Sequence, residues 1–187
     1  SGVPVDELVG EGVIWNDVQN GLSLGYRISG DEWRILGKDV KVELWVQNHG
    51  DKDVKFQDNM RPDAEFGLQV KLKDAKGKDH NSSYLPDDRP PFGFHRLLPP
   101  GHALKVKEFA ISLFLPESAR AAMRRDRSQA HFLGINPGAY DFHCELELPG
   151  FTATGEGGKQ LTPADGEWTG KLTTRGLNIE IIAPDAP

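Results

Sequence analysis

The sequence is short of cysteine, of long apolar runs and of clustered positive charge. Cys144 is the only cysteine in 187 residues, so no intramolecular disulfide can form. No apolar run approaches the ~18 residues that span a membrane, and no segment has the composition of a signal peptide. The net charge of -6 gives no electrostatic reason to bind nucleic acid. We therefore expect neither a nucleic-acid partner nor direct insertion into a membrane.

The spacings that metal sites and catalytic sites require are also missing around the histidines, around Cys144 and around the serines at 82–83. No two of its six histidines are four residues apart, as zinc ligands on a helix are, or two apart, as neighbours on one strand face are. His143 and Cys144 are adjacent, so on a strand they would point to opposite faces rather than to one copper ion. Ser82 and Ser83 lie near histidines but have no Gly-x-Ser-x-Gly motif around them. We therefore predict no catalytic residue, no metal site and no cofactor.

Alternation of apolar and polar residues is the commonest pattern in the chain. Residues 40–47 read VKVELWVQ, in which valine and leucine alternate with larger or charged side chains. A period of two is typical of a strand with one buried face and one solvated face. A polar turn at 49–53 follows, and residues 54–56 resume the alternation, which predicts a β-hairpin. Similar alternation recurs in three further stretches, at 22–29, 66–72 and 140–148.

These strands predict an all-β fold, an antiparallel β-sandwich of about eight strands. Its single domain is expected over residues 12–183, after a lead-in or cloning remnant at 1–11 and before a tail at 184–187. Residues 116–127 are predicted to form one short helical insertion, because proline and glutamate begin it and arginines end it. Those arginines form either a solvated helix face or a contact for phosphate or lipid headgroups.

Two details of strand geometry follow from the pattern. The apolar positions change parity across Lys107 and Glu108, which is what a one-residue β-bulge produces. Residues 168–173 and 177–182 are predicted to form a final hairpin around a turn at 174–176.

The core is predicted from the inward positions of these strands. Trp15 and Trp168 are expected to bury large aromatic area at the first and last strands. Trp45 would point outward, either under the helix or the long loop, or as part of an exposed patch. The other predicted core residues are Val42, Leu44, Val46, Tyr140, Phe142 and Leu146.

The longest stretch without periodicity, residues 79–101, is the candidate for binding, because long loops without regular structure are often functional. Arg89, Phe92, Phe94 and His95 stand there among stiff prolines, and arginine and aromatic side chains are enriched at interfaces. The alternative is that this segment folds back and caps one end of the sandwich. We take these four residues as the candidate binding site, with an unknown protein or small ligand as its partner.

Five short segments together resemble an uncharacterised Ig-like bacterial β-sandwich domain. This domain is carried at the exported C-terminal end of membrane proteins such as antibiotic-sensor type metallopeptidases. The middle hairpin and the strand at 137–140 are also similar to a small bacterial proteinase-inhibitor sandwich. The segments of the first resemblance are WNDVQNGL at 15–22, VELWVQNHGDK at 42–52, PPG at 99–101, NPGAY at 136–140 and GEWTGKLTT at 166–174.

The first resemblance implies an Ig-like sandwich without catalytic residues. It also implies a periplasmic or other extracytoplasmic location, as part of a larger exported or membrane-anchored bacterial protein. We expect a monomeric binding or sensor module. The second resemblance implies the alternative function, a proteinase inhibitor that acts through the proline-rich loop at 84–95.

Overall fold

The computed structural model builds the chain from strands joined by turns. Within the described residues there are fifteen strand segments and no helix, which confirms the all-β class. The segments outnumber the eight predicted strands because several are only two to four residues long. The described residues are 2–4, 12–29, 39–57, 68–82, 95–114, 129–148, 153–154, 160–161 and 167–183. The strands are β1 (Val3–Pro4), β2 (Ile14–Trp15), β3 (Leu22–Ser29), β4 (Asp39–Asn48), β5 (Val54–Gln57), β6 (Leu68–Asp74), β7 (Asp79–Asn81), β8 (His95–Leu98), β9 (His102–Phe114), β10 (Gln129–Leu133), β11 (Gly138–Leu148), β12 (Ala153–Thr154), β13 (Gln160–Leu161), β14 (Gly170–Thr173) and β15 (Leu177–Ile181).

The first sheet has six strands, in the order β2-β3-β4-β9 with β1 and β10 sharing the far side of β9. All neighbours are antiparallel except β10, which runs parallel to β9. β1 lies within the predicted lead-in at 1–11, so part of that segment contributes to the sheet. The predicted helical insertion at 116–127 lies outside the described residues.

The second sheet has five strands, in the order β7-β6-β11 with β14 and β15 sharing the far side of β11. Both β14 and β15 run antiparallel to β11, along its residues 145–148 and 138–142. They therefore form one interrupted edge strand, and the predicted final hairpin around 174–176 is wrong. At the interruption Thr174 keeps contact with β11, because its hydroxyl accepts a hydrogen bond from the Cys144 amide at 2.8 Å.

A single hydrophobic cluster joins the two sheets and makes the fold a β-sandwich. The rings of Tyr26, from the first sheet, and Phe142, from the second, meet edge to face with centroids 5.8 Å apart. Trp168 is buried as predicted, and so are all six of the other predicted core positions: Val42, Leu44, Val46, Tyr140, Phe142 and Leu146.

The predicted β-bulge is confirmed on β9. Leu44 of β4 faces Lys107, whereas the next residue, Trp45, faces Lys105, so Val106 is an extra residue on β9. The buried positions of β9 accordingly change parity, from 104 and 106 to 109, 111 and 113. A bulge of this kind lets both halves of a long strand keep their apolar side chains in the core.

The prediction that one face of each strand is exposed to solvent is wrong for β3 and β4. Residues 22–26 and 42–46 are all buried, so both faces are covered there. Trp45 does point away from the main core, but only 9% of it is exposed, because it packs with Ala103 under Trp15 and Val13. Trp15 is half-buried rather than part of the main core.

None of the described segments forms a helix of the length and hydrophobicity needed to cross a membrane.

Candidate functional site

Hydrogen-bonded strands flank the candidate binding segment in the sequence. Arg89, Phe92 and Phe94 lie outside the described residues, and His95 is the first residue of β8. Before the segment, β7 pairs with β6, and the Ser82 amide donates to the Val70 carbonyl at 3.2 Å. After it, β8 pairs antiparallel with β5 along four residues. The described residues on either side of 83–94 are therefore held by backbone hydrogen bonds.

The β5–β8 ribbon is itself joined to the body of the protein. Leu98 of β8 is buried in the main core, while Leu97 beside it is 46% exposed. The Trp168 amide donates to the Lys55 carbonyl of β5 at 3.0 Å. The ribbon therefore supplies a fixed base with an exposed apolar side chain next to the candidate segment.

A buried asparagine connects this ribbon to the turn after β4. The Asn48 side-chain nitrogen donates to the carbonyls of Lys52, at 2.8 Å, and Leu98, at 3.0 Å. Its side-chain oxygen accepts from the Gly50 amide at 2.8 Å, and its own carbonyl accepts from the Gly101 amide at 2.9 Å. Two of the segments that carry the resemblance, 42–52 and 99–101, are thus hydrogen-bonded to each other.

Two further segments of the resemblance, 15–22 and 166–174, also contact each other. The Trp168 indole donates to the Asn20 carbonyl at 3.0 Å, and the Asn20 side-chain nitrogen donates to the Thr169 carbonyl at 3.2 Å. Asn20 adopts φ 51° and Gly21 φ 82°, the left-handed values that an Asn-Gly turn uses between antiparallel strands. This turn of the first sheet therefore closes over the edge of the second sheet.

The fifth segment, 136–140, stabilises a corner of its own. The Tyr140 hydroxyl donates to the Asn136 carbonyl at 2.9 Å. Burial, and to a lesser extent the charge of Asp74, raises the pKa of Tyr140 against the opposing effect of that hydrogen bond. A tyrosine bonded to the backbone a few residues upstream is the arrangement called a tyrosine corner. The described residues of all five segments thus make contacts that hold the fold.

Charged residues on the outer face of the first sheet form a network around Glu43. Burial by itself raises the pKa of Glu43, but the hydrogen bond and charge of Arg27 outweigh it and hold the pKa below its usual value. The Arg27 Nε donates to Glu43 at 2.6 Å, and the Lys105 ammonium lies 3.5 Å from the same carboxylate. Hydrogen bonds from Lys41 and Lys105 likewise lower the pKa of Glu108.

The outer face of the second sheet carries His143 between two carboxylates. The histidine Nδ1 lies 3.5 Å from Asp141 and its Nε2 lies 3.7 Å from Glu145. Only 14% of the His143 side chain is exposed, so it is more buried than an outward residue of a solvated face. Burial raises the pKa of Glu145, but hydrogen bonds from Lys71 and Lys171, both at 3.1 Å, bring it below its usual value. In the described part of the chain, no three histidine, cysteine or acidic residues are placed to hold a metal ion.

An open groove of about 510 Å³ lies between β6, β11 and β15, lined by residues that include Lys73, Asp74, Asp141 and Glu180. Its most strongly bonded group is Asp74. A hydrogen bond from His80 at 3.0 Å, with backbone amides of the following turn, lowers the pKa of Asp74. The carboxylate of Asp74 therefore holds the turn that follows β6.

Ser23 and His49 form a pair that the sequence analysis missed. The serine oxygen lies 2.8 Å from the histidine Nε2, a distance suited to a nucleophile and its base. Residues 21–25 read GLSLG, a Gly-x-Ser-x-Gly motif that could have drawn attention to Ser23. However, that motif works at a turn between a strand and a helix, whereas Ser23 lies inside β3 and is 1% exposed. Burial lowers the pKa of His49, and the pair links β3 to the first residue after β4.

Cys144 is equally unsuited to chemistry. Its side chain is completely buried in the core, and burial raises the pKa of the thiol well above its usual value. Because the thiolate is the reactive form, Cys144 is an inert core residue.

No protein-family model and no curated protein matches the sequence. A solved structure that matches is described by the words "AvmM Catalyzes Macrocyclization in Alchivemycin A Biosynthesis". It shares 11% sequence identity over 94% of this chain and 98% of its own, with a TM-score of 0.29. A similarity at this level carries no argument about function, so the resemblance to Ig-like bacterial domains stays a prediction.

Proposed function

We propose that the chain is a non-catalytic binding or sensor module of a larger exported or membrane-anchored bacterial protein. Its fold is an Ig-like sandwich, a proposal that the hydrogen bond from Tyr140 to Asn136 supports. The module is a monomer and lies in the periplasm or another extracytoplasmic space. Residues 84–95 form its binding segment.

The observation that carries this proposal is the pair of hydrogen-bonded strands that border the segment. β7 precedes residues 83–94 and pairs with β6, and β8 follows them and pairs with β5. Binding residues are disproportionately found on loops that a rigid scaffold positions. The exposed Leu97 adds apolar surface at the base of the segment.

The side chains of the segment suit a protein or small-ligand partner. Phe92 and Phe94 offer aromatic area, and Arg89 offers paired donors for carboxylate or backbone oxygens. Prolines at 86, 90 and 91 restrict the unbound segment, which lowers the entropy that is lost on binding. His95, at the start of β8, completes the proposed set.

The proposal is tested with an Arg89→Ala/Phe92→Ala/Phe94→Ala variant. The intact chain and the variant are immobilised, exposed to a bacterial envelope fraction, and the captured species are compared by mass spectrometry. We expect one species that the intact chain retains and the variant loses, and titration calorimetry should then give a dissociation constant for it. The matched control is an Ile14→Ala variant, which changes an exposed apolar residue far from residues 84–95 in the sequence. Equal capture by all three proteins would contradict the proposal.

The second candidate function is proteinase inhibition through the same residues 84–95. The strand pairs at both ends of the segment also suit an inhibitor, since such a loop has to be held rigid. A panel of serine, cysteine and metallo-proteinases separates the two functions. Tight inhibition that Phe92→Ala abolishes would favour the inhibitor over the sensor module.

A further inference from the structure

The edge of the second sheet at β14 is covered by side-chain amides of another segment. β14 pairs with β11 on one side. On its other side, the Gln19 amide nitrogen donates to the Thr173 carbonyl at 3.2 Å, and the Thr173 amide donates to the Gln19 side-chain oxygen at 3.2 Å. Asn16 adds a second donor to the Thr173 carbonyl at 2.7 Å. The Gln19 side chain thus makes the two hydrogen bonds that a residue of a neighbouring strand would make.

Alternate residues of this edge point the same way. Backbone groups of successive residues in an antiparallel strand point to opposite sides, so Thr169 and Lys171 face outward as Thr173 does. The hydrogen bond from Asn20 to the Thr169 carbonyl is consistent with this alternation. In two of these three outward-facing residues, Thr169 and Thr173, the backbone is therefore hydrogen-bonded to side-chain amides of residues 16–20.

An open edge at this position would suit a second copy of the same chain. In an antiparallel pair centred on Lys171, Thr169 of one copy faces Thr173 of the other, so the edge is complementary to itself. The positive charge of Lys171 does not prevent such pairing, because its ammonium lies 3.1 Å from Glu145. Unpaired edge strands are templates for this kind of association.

We propose that Asn16, Gln19 and Asn20 form an edge guard, which keeps β14 from pairing antiparallel with β14 of a second copy of this chain. The edge guard differs from the edge charges and prolines that sheets often use, because its amides replace the missing strand directly. The edge guard gives a reason why three polar side chains of residues 16–20 bind the backbone of Thr169 and Thr173, which are about 150 residues away in the sequence.

The test is an Asn16→Ala/Gln19→Ala variant, compared with the intact chain by light scattering over a range of protein concentrations. We expect the intact chain to keep the monomer mass and the variant to approach the dimer mass as concentration rises. Amide hydrogen exchange at Thr173 supplies a second readout. In a dilute solution of the variant, the Thr173 amide should exchange roughly tenfold faster than in the intact chain, because about one hydrogen bond is lost. In a concentrated solution of the variant, the Thr173 amide should again be protected from exchange.

Two controls separate edge pairing from general destabilisation. Tyr140→Phe also removes a side-chain-to-backbone hydrogen bond of the same sheet but leaves the edge covered, so it should remain monomeric. Adding Lys171→Pro to the Asn16→Ala/Gln19→Ala variant removes an outward N–H and should restore the monomer mass. If the double alanine variant does not fold, the single variant Gln19→Ala, which removes both hydrogen bonds between Gln19 and Thr173, takes its place.

The proposal is overturned if the variant keeps the monomer mass at every concentration, or if Tyr140→Phe dimerises equally. Dimerisation that survives Lys171→Pro would also overturn it, because the contact would then lie elsewhere.

Discussion

At the scale of single residues, two buried tyrosines differ in one hydrogen bond. Tyr26 is 1% exposed, and its hydroxyl has no hydrogen-bond partner among the described residues. Burial, the largest cause, raises the pKa of Tyr26 to about 12. Tyr140 is also buried, but its hydroxyl donates to the Asn136 carbonyl. A buried hydroxyl without a partner costs free energy that a bonded one recovers.

Removal of the two hydroxyls should therefore have opposite effects on stability. Tyr26→Phe keeps the ring against Phe142 and should raise the free energy of unfolding by about 1 kcal/mol. Tyr140→Phe breaks a hydrogen bond and should lower it by about 1 kcal/mol. Urea unfolding of the three proteins measures both changes. A loss of stability in Tyr26→Phe would mean that its hydroxyl is bonded after all.

At the scale of the elements, a glycine permits the aromatic layer on the outer face of the first sheet. Gly25 of β3 lies between Trp15 of β2 and Trp45 of β4 in the strand pairing. A Cβ at position 25 would lie 2.6 Å from the Trp15 ring and 2.9 Å from Val13. The absence of a side chain lets Trp15 lie directly on the backbone of β3.

Gly25→Ala should therefore lower the free energy of unfolding by roughly 1–3 kcal/mol, the usual cost of overpacking. Tryptophan fluorescence should change with it, because Trp15 has to move. Gly176→Ala is the matched control, since its Cβ would also approach within 2.6 Å of a neighbour. That neighbour is the end of the flexible Asp141 side chain, so the control should cost less. Equal losses would contradict the packing of Trp15 on Gly25.

The strand pattern predicted some elements well because burial leaves its period in the sequence. The parity change near Lys107 located the bulge on β9, where only local alternation matters. The alternation of β4 also placed Trp45 correctly, away from the main core, but it did not predict that Trp15 and Val13 cover it. The strand pattern failed at residues 174–176, where turn-like residues interrupt one edge strand instead of joining two.

The candidate site was less predictable than the fold. Composition and prolines marked residues 84–95, but sequence alone does not say whether Arg89, Phe92 and Phe94 contact a partner. The pair of Ser23 and His49 depends on two neighbouring strands, and its motif was present but lies in a strand rather than an elbow. Hydrogen bonds between a polar side chain and a backbone far along the sequence, such as that of Gln19 with Thr173, leave no periodic signal.

At the scale of the whole molecule, paired carboxylates make the fold sensitive to acid. The pKa values of Glu43, Asp74, Glu108 and Glu145 are all lower than usual in the folded chain. A pKa that is lower in the folded chain means that the folded state stabilises the ionised carboxylate more than the unfolded state does. Its contribution is present above the unfolded pKa, about 4.5 for glutamate, and is lost as the pH falls through the lower folded value.

We therefore expect Tm to fall between about pH 5 and about pH 2, as these carboxylates are protonated. Thermal melts across that range measure the effect. Glu43→Gln removes one of these carboxylates, so the Tm of this variant should fall less over the same pH range. A constant Tm throughout would show that the ion pairs contribute nothing to folding.

The central claim is that the sandwich folds independently of the segment proposed to bind. The five segments of the resemblance make contacts that hold the fold. In the sequence, residues 83–94 follow β7, which pairs with β6, and precede β8, which pairs with β5. The most direct test replaces residues 87–94 with a Gly/Ser linker of the same length, which avoids strain from a shortened connection. Circular dichroism then follows thermal unfolding of the variant and the intact chain. We predict an unchanged β spectrum and a Tm within a few degrees of the intact chain. Loss of cooperative unfolding, or a Tm far below that of the intact chain, would place the segment in the core and contradict the account.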